Sequence, residues 1–214
     1  MKLLLATGSE HKIIELRRIL EAESVPVDVV GLADVEPYPE PVENGSTFEE
    51  NALIKARAGF EETGLPTLAD DSGIEVDVLN KMPGVRSARW AGGHDQDGEN
   101  LDLLIRQIDD VEPERRTARF VAAMALVWAG GETVVRGAVE GTLAREPRGE
   151  HGFGYDPIFI PLGGTRTTAE MSDEEKDAIS HRGRALRAMI PHIEALARGE
   201  DSPTRATLAR GDKS

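Results

Sequence analysis

Residues 118–129 form a long apolar run, residues 132–139 form a second β-rich run, and Gly130-Gly131 lies between them. Two β-rich runs joined by a glycine pair specify a β-hairpin, because glycine enters the positive-φ turns that match strand twist. The chain must therefore contain an antiparallel pair. At its start the opposite constraint applies. Residues 2–6 are a short apolar run, broken by Thr7-Gly8-Ser9, and Ile13, Leu16, Ile19 and Leu20 then recur at helical spacing. Residues 27–32 are again β-rich. Strand, helix, strand in close succession calls for a parallel pair. Together the two patterns predict an α/β or α+β chain with a mixed β-sheet.

Further signals divide the rest. Residues 34–46 carry three prolines and several acids and read as a loop. Ser46 with Glu49 fits a capping box, and Gly64 fits the position just past a helix end, which brackets a helix over 48–63. Residues 67–69 read as a short strand and 74–79 as a separate half-exposed one, with Glu75 and Asp77 facing water. Residues 81–98 read as loop, 101–108 as helix, 149–156 as a glycine-rich loop and 158–160 as a short strand. Ser172 with Glu175 opens a helix to about Ile179. A longer helix over 181–197 buries Leu186, Met189, Ile190, Ile193 and Leu196 and should kink at Pro191. One domain over 1–198 is expected, with 199–214 as a tail.

Composition narrows the function. The 25 basic residues against 39 acidic ones leave a net charge of −14. That balance speaks against a nucleic-acid polymer or an anionic membrane as partner. It leaves room for a nucleotide, since a local cluster of cations or a metal reverses the field where it matters. The absence of cysteine excludes disulfides, zinc–thiolate sites and cysteine nucleophiles. The opening MKLLLATGSE turns polar too early for a signal-peptide core, which predicts a cytoplasmic chain.

Four segments have the residue types that chemistry needs. Thr7-Gly8-Ser9-Glu10-His11-Lys12 spans a strand-to-helix junction, where free N–H groups, hydroxyls and a first-turn lysine suit an anion; Ser9 also suits a plain helix cap. Asp70-Asp71-Ser72-Gly73 reads as a strand end whose adjacent acids could hold Mg²⁺ or take a proton from water, with Glu43 able to join them. Gly152-Phe153-Gly154-Tyr155-Asp156 sets two rings among glycines in a chain that is only 4% aromatic, which suits stacking on a flat ligand or plugging the core. Lys176 and Ser180-His181-Arg182-Gly183 lie near two helix ends, with cations at a helix start against the macrodipole. Lys176 is expected to face outward, with Ala178 and Ile179 inward.

Taken in order, these segments, together with Thr47-Phe48-x-x-Asn51-Ala52 ahead of Lys55-Ala56 and with Pro83-Gly84-Val85-x-Ser87-Ala88-Arg89, resemble the inosine triphosphate pyrophosphatase family over residues 1–198. One departure is Ser9, where the family usually has Asn. The resemblance implies an elongated, twisted mixed sheet with surrounding helices, two lobes flanking a cleft, and a homodimer. It implies Mg²⁺-dependent hydrolysis of aberrant purine nucleoside triphosphates (dITP, ITP, XTP) to the monophosphate and pyrophosphate. By the same match Asp71 would be the catalytic acid and metal ligand, supported by Glu43. Thr7, Gly8, Ser9, Glu10, His11, Lys12 and Lys176 would grip the triphosphate, with Ser72 beside them. Phe153 would stack on the base, Gly154, Tyr155 and Asp156 would close the pocket, and His181 and Arg182 would read the 6-oxo edge.

Overall fold

A computed structural model describes residues 1–93 and 96–200, apart from the His11 side chain. The strands are β1 (Lys2–Leu5), β2 (Asp28–Gly31), β3 (Thr67–Val76), β4 (Met82–Pro83), β5 (Thr117–Trp128), β6 (Gly131–Leu143) and β7 (Phe159–Pro161). The helices are α1 (Glu10–Ala22), α2 (Phe48–Thr63), α3 (Asp97–Gln107), α4 (Asp173–Ile179) and α5 (His181–Ala197). The strands make one mixed sheet in the order β2-β1-β3-β5-β6-β7, with β4 on the edge of β3. β1 pairs parallel with β2 and β3, and β5 and β6 form the expected hairpin, whose turn is Ala129-Gly130, with Gly131 already paired to Trp128. Among the described residues no helix is long and apolar enough to cross a membrane.

Alternation along β5 explains the layering, since successive side chains leave opposite faces of a strand. Ala122, Met124 and Leu126 pack with Leu16, Ile19 and Leu20 of α1 and with Leu186, Met189 and Ile193 of α5. Val121, Ala123, Ala125 and Val127 pack with Phe48, Ala52 and Ala56 of α2 on the other face. Farther along the sheet, Ile74, Val76 and Phe120 pack with Leu101 and Leu104 of α3 and with Tyr155 and Phe159. Each fully buried Leu or Ile contributes about 1.5–3 kcal/mol over an exposed one. The expected stripe of α5 is present, and the helix continues past Pro191 to Ala197. Of the expected tail, residues 201–214 lie outside the described residues.

Several expectations need correction. Residues 67–69 and 74–79 are not two strands: β3 runs unbroken from Thr67 to Val76 and carries both acids mid-strand. Leu68 to Val76 can stay extended because β5 pairs with it along its whole length. Glu75 is buried rather than facing water, held by Arg119 at 3.4 Å and Arg136 at 3.4 Å, and Asp77–Leu79 is a 3-10 turn. The 81–98 stretch includes β4 and a 3-10 turn over Gly84–Arg89, and α3 begins at Asp97, ahead of the expected Leu101. The helix over 48–63 is present with Gly64 left-handed at φ 67°, but its cap is Thr47, whose Oγ1 accepts from the Glu50 N–H, one residue later than the Ser46/Glu49 box. Ser172 with Glu175 caps α4 as expected.

Candidate active site

On one side β3 has an interrupted neighbour. β1 pairs with it only as far as Leu5↔Leu68, and β4 joins it only from Glu75↔Pro83. Between those points the edge of β3 is open, and a cleft of about 880 Å³ lies against it. The strand end that opens the site is thus that of β1, not that of β3. Glycine fits the crowded floor: a Cβ on Gly73 would meet the Ser87 side chain and the Gly84 carbonyl.

Asp70 and Asp71 leave β3 on opposite faces. Asp70 is buried, 2.9 Å from Lys12 Nζ and 3.6 Å from Arg182 Nε, and its Oδ2 accepts from Ser72 Oγ at 3.3 Å. Burial pushes its carboxyl up, but Lys12, Arg182 and Lys55 outweigh burial and hold it at about 2. Its Oδ1 and the Arg182 Nε are buried without a hydrogen bond. Burial lowers the Lys12 ammonium in spite of Asp70.

Asp71 faces α2, where its Oδ2 accepts from Asn51 Nδ2 at 3.0 Å. Burial raises its carboxyl above the ordinary value despite Lys55, Asn51 and Lys12. Lys55 Nζ lies 3.8 Å from Asp71 Oδ1 and 3.2 Å from Glu43 Oε1, so the two carboxylates converge on one cation position. Among the described residues no group of three His, Cys, Asp or Glu side chains forms a metal cage. Two convergent carboxylates still fit Mg²⁺, which takes one or two protein carboxylates together with substrate phosphates.

The first turn of α1 borders the cleft through Thr7, Gly8, Ser9, Glu10 and Lys12. Ser9 occupies the cap position but makes no side-chain cap; its N–H donates to Thr7 Oγ1 at 3.2 Å. His11 lies in α1, and its side chain is outside the described residues.

At the other end of the cleft the two rings of the glycine loop take different roles. Phe153 borders the cavity, with the Lys176 ammonium 5.2 Å and the Arg182 guanidinium 5.1 Å from its ring centre. Tyr155 is buried, and its hydroxyl donates to the Ser87 carbonyl at 2.8 Å. Asp156 closes the loop from behind: it accepts from the Phe153 N–H at 2.8 Å, from Thr168 Oγ1 at 2.7 Å and from Lys176 Nζ at 2.6 Å. Lys176 therefore points inward instead of outward, while Ala178 is exposed. His181 stacks on Phe120 at 4.9 Å, and burial with the nearby Arg182 and Lys176 lowers its imidazole well below the ordinary value. Arg182 donates to Glu15 Oε2 at 2.9 Å and to Ser72 Oγ at 3.1 Å.

Glu15, Asn51, Lys55 and Asp97 belong to this network without having been assigned a role from sequence. For Glu15 a signal existed: it lies three residues after Lys12 and beside Leu16, an acid on the apolar face of α1.

The sequence and the mixed sheet are similar to those of known proteins. The Ham1 family model matches residues 3–192, and the chain belongs to the Ham1 family. A protein from Nocardia farcinica named dITP/XTP pyrophosphatase is 58% identical over 198 residues, 92% of this chain and 96% of its own. A crystal structure from Mycobacterium abscessus, described as a nucleoside-triphosphatase/dITP/XTP pyrophosphatase, is 55% identical, with a TM-score of 0.74 over 89% of this chain and 98% of that one. The Ham1 protein of Staphylococcus aureus is 34% identical, with a TM-score of 0.80 over 93% of this chain and 99% of that one. The mixed sheet with surrounding helices and the family resemblance are thereby borne out.

Proposed function

We propose that this chain hydrolyses aberrant purine nucleoside triphosphates, dITP, ITP and XTP, to the monophosphate and pyrophosphate, and so keeps deaminated purines out of nucleic acids. The observation that carries the reading is the division of one cleft into two chemistries. A carboxylate pair on a shared cation position lies at one end, beside a helix N-terminus, and a ring flanked by buried donors lies at the other. The names of the relatives point the same way.

In this reading the first turn of α1 and Lys12 hold phosphate oxygens, with Ser72 beside them. Lys176, expected in that grip, lies instead at the other end, paired with Asp156 behind the Phe153 ring, and in this reading it serves the base end. Mg²⁺, when bound, neutralises charge on the phosphates, and Asp71 and Glu43 would hold it. Asp71 Oδ1 takes the proton of the attacking water, a role suited to a carboxyl whose proton affinity burial has raised. Phe153 stacks on the base. His181, kept neutral by burial, and Arg182 donate to the 6-oxo oxygen. Asp156 and Tyr155 fix the loop that carries Phe153 and Gly154.

The same proposal takes residues 1–198 as one catalytic unit, the protein as a cytoplasmic homodimer with two lobes about the cleft, and no nucleic-acid polymer or membrane as partner. The test is pyrophosphate release with Mg²⁺ from ITP, dITP and XTP against ATP and GTP. Release confined to the first three supports the reading; release from none of the five sinks it. Light scattering reports the dimer.

A further inference from the structure

The cations that border the cleft are not equally engaged. Lys12 is paired with Asp70 at 2.9 Å, Lys55 with Glu43 at 3.2 Å and Arg182 with Glu15 at 2.9 Å. Arg89 borders the same cavity, half-buried, and among the described residues its guanidinium has neither a hydrogen bond nor an ion pair.

Its backbone, by contrast, is pinned on both sides. Ser87 Oγ accepts from the Ile74 N–H at 2.9 Å and donates to the Gly84 carbonyl at 2.7 Å, and the Ser87 carbonyl accepts from Tyr155. The buried Asn100 of α3 donates to the Ala88 carbonyl at 3.3 Å and accepts from the Ala91 N–H at 2.7 Å. A rigid shelf presenting one unpaired guanidinium is a binding arrangement, because the backbone is held in place while the five donors of Arg stay unspent.

The shelf also has a definite level along the sheet. Ile74 lies four residues up β3 from Asp70, the partner of Lys12, or about 13 Å at the usual strand rise. Ile74 pairs with Phe120, and Phe120 stacks on His181. Asp97, at the start of the shelf's supporting helix, accepts from the Gly154 N–H at 3.0 Å. The shelf that carries Arg89 is therefore level with the aromatic end of the cleft rather than with the end beside α1.

We infer that Arg89 is a specificity residue that donates to an oxygen on the C2 side of the purine, favouring xanthine and rejecting the 2-amino group of guanine. This rests on the proposed function. A guanidinium has no acceptor, so an amino group at C2 meets donor against donor, whereas a 2-oxo oxygen completes a charge-assisted bond. Hypoxanthine carries only hydrogen there and is indifferent to the contact. A ligand-reading donor left unpaired by the wrong base is what makes polar sites discriminate strongly.

The experiment measures kcat/KM for XTP, ITP and GTP in wild type, Arg89→Ala and Arg89→Gln, with thermal unfolding to confirm that each variant is folded. Inhibition by tripolyphosphate is measured alongside. Arg89→Ala should lower the XTP/ITP ratio about 10-fold or more and leave tripolyphosphate inhibition unchanged. Arg89→Gln, which introduces an acceptor, should raise the GTP/XTP ratio. An unchanged XTP/ITP ratio overturns the assignment. So does equal loss on XTP and ITP with weakened tripolyphosphate inhibition, which would make Arg89 a phosphate ligand. If wild type releases pyrophosphate from none of the three, the proposed function fails instead.

Discussion

Asp70 and Asp71 are neighbours in the chain, and their carboxylates serve opposite faces of one strand: Asp70 meets Lys12 of α1 at 2.9 Å, and Asp71 meets Asn51 of α2 at 3.0 Å. One side chain is locked among cations, and the other is buried against an amide and a more distant ammonium. Under the proposed function the pair would divide into a structural acid and a chemical one.

Replacing each by Asn should separate the two roles. Asp71→Asn removes the negative charge and the proton acceptor but keeps the shape. Its kcat should fall roughly 10²-fold or more, with thermal unfolding little changed. Asp70→Asn leaves Lys12 and Arg182 facing a neutral amide in a buried site, and breaking such a pair costs about 3–5 kcal/mol of stability. Steady-state kinetics and denaturant unfolding on both variants check this; near-normal kcat in Asp71→Asn rejects the assignment.

The Asp70 carboxyl also sets an acid limit on the fold. Its folded value of about 2 lies below the ordinary 3.8, so the unfolded chain binds the proton more readily. The stabilisation is therefore complete above about pH 4 and lost as pH falls towards 2. Unfolding free energy measured between pH 5 and 2 should fall less steeply in Asp70→Asn than in wild type. Parallel curves would show that Asp70 is not responsible.

Activity should fail in acid before the fold does. Burial raises the Asp71 carboxyl, so protonation removes the base at a pH above that of an ordinary aspartate. The acid limb of kcat/KM should accordingly lie above pH 3.8, and it should move when Lys55→Met removes the neighbouring ammonium. A limb unmoved by that change argues against Asp71 as the titrating group.

Product and metal dependence follow from the convergence of Glu43 and Asp71 on one cation position. ITP should yield IMP and pyrophosphate, and excess chelator should abolish turnover, because acids bordering the cleft repel the substrate. Chromatography that finds IDP as the main product, or full activity in chelator, would sink this prediction.

At the base end, Arg182→Ala should lower kcat/KM for ITP by about 10- to 100-fold and for ATP little, since a buried donor lost to the 6-oxo group costs about 1–3 kcal/mol. Phe153→Ala should lower all substrates by similar factors, because every base has a π-face. An ITP/ATP ratio unchanged by Arg182→Ala would remove it as the reader of the 6-position.

The elements fixed by local chemistry were legible in the sequence: the hairpin at Gly130-Gly131, the end of α2 at Gly64, and the cap of α4 at Ser172. What escaped depends on distant partners. Asp70 to Gly73 read as a strand end because two adjacent acids are rarely buried; they are buried here because Lys12, Lys55 and Arg182 arrive from three helices. Lys176 was read as outward for the same reason, its partner Asp156 lying 20 residues back in a loop. The dual promise of Phe153 and Tyr155 could not be resolved locally, since distant partners, the Ser87 carbonyl and the core around Ile74 and Phe120, decide that Tyr155 is the one buried.

The early stop of β1 has a consequence for how the protein behaves in a crowded solution. An open sheet edge is ordinarily an invitation to foreign chains, which add to it as further strands. Here the opening runs from Ala69 to Ile74, it is closed at both ends by β1 and β4, and Ser87 Oγ already takes the Ile74 N–H. Lys12 and Arg182 stand beside it with their charges half spent on Asp70. Under the proposed function the interruption would work as a keyhole: too charged for an intruding polypeptide, it would admit a small anion. Lengthening it, by trimming β4, would turn a binding site into a nucleus for aggregation.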